Sequence, residues 1–131
     1  MGDMPIQDLK SEPMMAHLMG TLDGGHSIGH YGQLVFAMVA RHFIDRDELI
    51  SYLVKDPDMD EAHAESLVQQ VESRGYNPPK RERILEWMEK QDFPICPNPQ
   101  DPGQCNVYRN LDFPKDVYDR ISEFYGGAKA A

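Results

Sequence analysis

Asp60-Glu61-Ala62-His63-Ala64-Glu65-Ser66-Leu67-Val68-Gln69-Gln70-Val71-Glu72-Ser73-Arg74-Gly75 is the most regular stretch of the chain. Ala64, Leu67, Val68 and Val71 stand at i, i+3, i+4 and i+7, so on a helix they share one face that can pack against a neighbour. Asp60 begins the helix, and Gly75 suits a left-handed C-terminal cap.

The same period recurs on both sides. Upstream, Asp45 with Glu48 three positions on makes a capping-box pattern ahead of Leu49, Ile50, Tyr52 and Leu53, and Asp56-Pro57-Asp58 stops that helix. Before it, Ile28 to Phe43 carries apolar residues on more than one face, as expected of the central helix of a core. Pro13 opens a helix bearing Met14, Met15, Leu18, Met19 and Leu22, and Gly24-Gly25 ends it. Residues 1–12 hold Ile6 and Leu9 among polar neighbours and predict at most a short helical arm docked on the body. Downstream, Pro78-Pro79 leads into Lys80 to Gln91 with Ile84, Leu85, Trp87 and Met88 as the apolar face. Pro114 begins a last helix with Val117, Tyr118, Ile121, Phe124 and Tyr125, and residues 126–131 read as a frayed tail. No stretch has a period of two. The expectation is an all-α single domain over 13–125, built of five or six short helices and a proline-rich cysteine loop.

The chain has 131 residues, enough for one domain with its own core. No apolar run approaches the roughly 18 residues of a membrane span, and the N-terminus lacks the form of a signal peptide, so the expected location is cytoplasmic, with no membrane partner. Twenty-two acidic and thirteen basic residues give a net charge of −9, which opposes general attraction to a phosphate backbone and confines any nucleic-acid contact to a local patch. Nine acids lie between Asp45 and Glu72, whereas Arg74, Lys80, Arg81 and Arg83 cluster just after them. These bases are either a patch on an acidic body or a solvated helix end.

Phe93 to Cys105 contains both cysteines and Pro94, Pro97, Pro99 and Pro102, which bar regular helix or strand. Two thiols nine positions apart can be half of a four-ligand metal site, a small disulfide loop or two buried hydrophobes. A cytosolic chain with two cysteines argues against a disulfide framework.

Taken in order, several stretches form a series: Pro13-Met14-Met15-Ala16-His17-Leu18, His26-Ser27-Ile28-Gly29-His30-Tyr31-Gly32-Gln33, Asp56-Pro57-Asp58-Met59-Asp60, Leu67-Val68-Gln69-Gln70-Val71, Tyr76-Asn77-Pro78-Pro79-Lys80-Arg81, Cys96-Pro97 and Cys105. This series, spanning about Pro13 to Tyr118, resembles the C-terminal iron–sulfur domain of the large subunit of archaeal and eukaryotic DNA primases. The resemblance implies a helical, non-catalytic module that engages a primer's 5′-phosphate end or the adjoining template beside a separate catalytic subunit. Two family cysteines fall on Met14 and Arg81, leaving Cys96 and Cys105 as the metal candidates. No cofactor is therefore expected, the alternative being an iron–sulfur cluster in a variant site completed by His17 or an outside thiol. Family arginines likewise fall on Gly29 and Gln33.

The nucleic-acid candidates are His26, His30, Gln33, Arg74, Lys80, Arg81 and Arg83, with single-stranded or primer-template nucleic acid as partner. His26 and His30 flank a glycine turn at a helix start, where backbone N–H groups and imidazoles can take an anionic oxygen. The plainer reading is that they bond nearby backbone. Tyr76, Arg81 and Trp87 combine aromatic and guanidinium groups on which unpaired bases stack, although Trp87 also fits a core position. If Arg81 fills the cluster position and pairs with an acid such as Asp92 or Asp101, an ion pair and packing replace the inorganic glue there. His17 and His42 read as core histidines and His63 as exposed. Asp45/Asp47 and Asp58/Asp60 read as helix caps, and no phosphate loop, zinc-protease motif or activated nucleophile is present in the sequence. A rival reading keeps the scaffold as a protein-interaction module with an exposed apolar patch, pairing with another protein or with a second copy. A third makes Cys96 and Cys105 working redox thiols.

Overall fold

The computed structural model describes residues 4–101, 105–111 and 113–119. They contain no strand and eight helical segments, seven of which are α1 (Met4–Ser11), α2 (Pro13–Asp23), α3 (Gly29–Ala40), α4 (Arg46–Leu53), α5 (Glu61–Arg74), α6 (Arg81–Met88) and α7 (Val107–Asn110). Residues 115–119 are also helical. The all-α expectation holds, and the helix count exceeds it because the N-terminal arm is a docked helix and α7 follows the cysteine loop. Ile121, Phe124, Tyr125 and the expected frayed tail lie outside the described residues.

Local chemistry sets the helix ends. The Asp45 and Asp60 carboxylates accept from Glu48 N and His63 N at 2.8 Å, each satisfying one orphan amide at the start of α4 and α5. Gly75 caps α5 at φ 63°, the left-handed conformation that costs glycine least. Glu12, buried to 1% exposure, caps α2 through Met15 N at 2.8 Å, with Pro13 in the first turn.

Helix α3 is the axis of the molecule, packed by α2, α4, α5 and α6. Val35, Phe36, Ala37, Val39 and Ala40 have no exposed surface, which explains why its apolar residues occupy more than one face. The methionine-rich face of α2 lies in the same core as Phe36, Leu49, Leu53 and Ile84. Each such side chain contributes roughly 1.5–3 kcal/mol by leaving water. Leu9 of α1 is fully buried in that core too, and α1 packs along α2. No helix among the described residues is long and apolar enough to cross a membrane.

Candidate nucleic-acid interface

The polar residues proposed from the sequence divide into two groups in space. The first surrounds the start of α3. Asp56, with no exposed surface, sends Oδ2 toward Ser27 Oγ (3.1 Å), Ile28 N (3.0 Å) and Gln33 Nε2 (2.9 Å), while Oδ1 accepts from Asp58 N at 2.8 Å. Burial pushes this carboxyl's pKa up, but the hydrogen bonds from Gln33, Asp58, Ile28 and Ser27 together outweigh it and hold the group below the ordinary carboxylate value.

Ser27 Oγ in turn accepts from Gly29 N at 3.1 Å, and Gln91 Oε1 accepts from Tyr31 N at 2.8 Å. Gln91 Nε2 donates to the Ile28 and Phe93 carbonyls at 2.9 and 3.1 Å. Gly29 makes room for that side chain: its φ is +79°, and a Cβ there would sit 2.5 Å from the Gln91 amide. Three backbone amides at this helix start therefore already have protein acceptors, so the expected backbone cradle for an anion is occupied by Asp56, Ser27 and Gln91. Gln33, 4% exposed, faces Asp56 and not solvent. His26 and His30 are exposed, and His30 meets the Tyr31 ring edge-on at 5.2 Å.

The second group surrounds a groove of about 510 Å³. Its floor includes Leu34 and Met38 of α3, and one wall is the segment Tyr76 to Lys80, leaving the cap of α5. The prolines at 78 and 79 keep that segment extended, and two bonds pin it: Arg41 Nη2 to the Tyr76 carbonyl at 3.3 Å, and the Tyr108 hydroxyl to the Pro78 carbonyl. Helix α6 supplies Arg83 and Trp87, and α7 supplies Tyr108. Trp87 stacks on Tyr31 at 5.7 Å and 22°, and the Arg83 guanidinium lies 5.9 Å from the Trp87 ring. A line of contacts thus runs from His30 through Tyr31 and Trp87 to Arg83. Arg83 Nε also meets Glu86 Oε1 at 3.3 Å, but both side chains are 61% exposed, so water screens the pair.

Of the predicted bases, Lys80 and Arg83 line the groove and Arg74 is an exposed residue in the last turn of α5. Arg81 points elsewhere: Nη2 donates to the Pro99 carbonyl at 2.6 Å, so a backbone oxygen takes the place expected for Asp92 or Asp101. It braces the cysteine loop from α6.

Cys96 and Cys105 are bonded to each other, with Cα atoms 5.8 Å apart, within the span that a disulfide bridges. This pairing corrects the expectation against a disulfide, which rested on a cytosolic setting. A bonded pair offers no thiolate, so these residues do not act as metal ligands in this state, and Met14 and Arg81 carry no thiol. The donor set does not fit a four-thiolate cage. Among the described residues, no three His, Cys, Asp or Glu side chains are grouped to hold a metal ion. His17 behaves as a structural histidine, donating from Nε2 to the Pro94 carbonyl at 2.8 Å and stacking on Phe93 at 5.0 Å.

Sequence reasoning missed Asp56 and Gln91 as organisers of the α3 start and Tyr108 as a groove wall. Asp56 carried a signal, an acid between a helix end and a proline, that reads equally as a stop. No protein-family model, curated protein or solved structure matches the chain.

Proposed function

We propose that the chain is a non-catalytic module that binds single-stranded or primer-template nucleic acid through the groove. The observation that supports this reading is the placement of Tyr76, Trp87 and Tyr108 together with Lys80 and Arg83 around one concavity, whose lining also includes the single acid Glu82 among its described residues. Its volume of about 510 Å³ suits a nucleotide. Aromatic side chains there take a base by stacking, and the two cations take the adjoining phosphates. In this reading a primer's 5′-phosphate end or nearby template is held while a separate polymerising subunit carries out the chemistry. The ordered resemblance to the primase large-subunit domain agrees with that division of labour. The proposed location is cytoplasmic, and no metal cofactor enters the reading.

Trp87 is the sole tryptophan, so its emission reports on the groove directly. Titration with a short 5′-phosphorylated oligodeoxynucleotide is expected to quench it at low salt. With two to three phosphates engaged, the slope of log affinity against log salt should be about −1.4 to −2. An unchanged emission and no retention by native gel at micromolar protein and low salt would reject the reading.

A second reading, a protein-interaction module on the same scaffold, draws on the apolar part of the groove, Leu34, Met38, Pro78 and Pro79. Among the described residues the large exposed hydrophobics are Val54 and Tyr118, each at 38% exposure. Concentration-dependent mass by light scattering, with Trp87 emission shifting as the chain self-associates, would favour a second copy as occupant over nucleic acid.

A further inference from the structure

Among the described residues that line the groove, Tyr108 alone comes from beyond the Cys96–Cys105 disulfide. Its own secondary structure holds it weakly, because α7 is four residues long and a single turn does not stand alone in water. What holds it in place includes the buried Val107, ring contacts with Phe113 at 5.4 Å and Tyr118 at 6.3 Å, the hydroxyl bond to the Pro78 carbonyl and the covalent link three positions upstream at Cys105. Cys105 has φ 67°, a left-handed conformation that a residue with a side chain adopts at a cost. Once released, it has reason to relax and redirect the chain entering α7. At the other end of the bridge, Cys96 N donates to Met88 Sδ at 3.4 Å, and Met88 ends the helix that carries Arg83 and Trp87. The disulfide therefore ties one groove wall to the end of the helix that forms another.

We propose that the Cys96–Cys105 disulfide is a redox switch on the groove: the oxidised chain holds Tyr108 against Pro78, and the reduced chain releases it and binds ligand more weakly. The proposal rests on the groove being the binding site. In a cytosolic setting, disulfides are chiefly transient and redox-sensing, which suits such a role. The reductant is a dithiol. Its thiolate attacks one sulfur of the bridge to give a mixed disulfide, and its second thiol then displaces the chain. The Cys96–Cys105 bond breaks, both cysteines end as thiols with two electrons and two protons gained, and the reductant leaves as its own disulfide. Because Cys96 and Cys105 are 1% and 0% exposed, attack waits on local opening, and the switch answers sustained rather than brief changes in redox state.

The test compares the oxidised full chain with the same chain reduced by dithiothreitol, with thiols counted. Three readouts are followed: far-ultraviolet circular dichroism, acrylamide quenching of Trp87, and affinity for a 5′-phosphorylated oligothymidylate. The expected result is retained helix signal, altered quenching and about tenfold weaker binding on reduction, reproduced by the Cys96→Ser/Cys105→Ser double variant. If quenching changes but the oxidised chain binds no oligonucleotide, the coupling stands and the groove reading falls. Identical quenching and affinity in both states would overturn the switch. So would loss of the helical signal on reduction, which would make the bridge a plain structural staple. Should the double variant fail to fold, the reduced native chain decides.

Discussion

The first turn of α3 and the groove beside α6 both drew attention in the sequence as places for an anion, yet they manage their polar groups in opposite ways. At the α3 start, Asp56, Ser27, Gln33 and Gln91 satisfy one another and the backbone, with Asp56 and Gln33 buried and Ser27 and Gln91 partly so. At the groove, Arg83 keeps most of its surface in water and its ion pair with Glu86 is exposed. The difference teaches that a polar residue is a candidate for binding only after the fold's own hydrogen-bonding demands are met. Gln33 fails that test, and Arg83 passes it.

The sharpest way to break the comparison is Asp56→Ala. It strands the buried amide of Gln33 and the Ile28 and Asp58 amides without their acceptor, and the expected loss is about 3–5 kcal/mol in urea unfolding. The same group predicts a pH dependence. Its folded pKa lies below the ordinary 3.8, so its contribution is fully present above about pH 5 and is lost as pH falls through the depressed value. A melting curve for Asp56→Asn that kept the wild-type acid dependence would assign that dependence to other carboxylates.

Next in size is Gly29→Ala. A left-handed φ and a methyl carbon 2.5 Å from the Gln91 amide together should cost about 2–4 kcal/mol, read as a lower denaturation midpoint. Substitutions in the groove should show the reverse pattern. Trp87→Leu is expected to weaken oligonucleotide binding by about 1–3 kcal/mol through lost stacking, and Arg83→Gln to make the salt slope shallower by about 0.7. Arg83→Gln should move stability by no more than about 0.5 kcal/mol, as for an exposed residue. The smallest effect belongs to Glu86→Gln. Removing the acid that meets Arg83 should change stability within about 0.3 kcal/mol and slightly tighten binding, as measured by Trp87 titration.

The helices were legible where short-range chemistry writes them. Asp45, Asp60 and Gly75 act within three or four positions, and the apolar stripes of α2 and α5 show their faces directly. Much of the groove was legible too, because Tyr76, Lys80, Arg83 and Trp87 sit within a dozen positions. Tyr108 was not, since it reaches Pro78 from 30 positions away. Gln33 was nominated because its partner Asp56, 23 positions on, cannot be inferred from either neighbourhood. The pairing of Cys96 and Cys105 is one of several arrangements that composition and spacing leave open.

Helix α1 carries a practical consequence for anyone seeking a minimal folding unit. Leu9 is sealed in the core, and Glu12, the last residue before Pro13, is the cap of α2. The molecule has no seam at that junction. A version trimmed to begin at Pro13 would lose the lid over its methionine-lined face along with the first brace of its second helix, and would present that face to neighbouring molecules as a sticky surface.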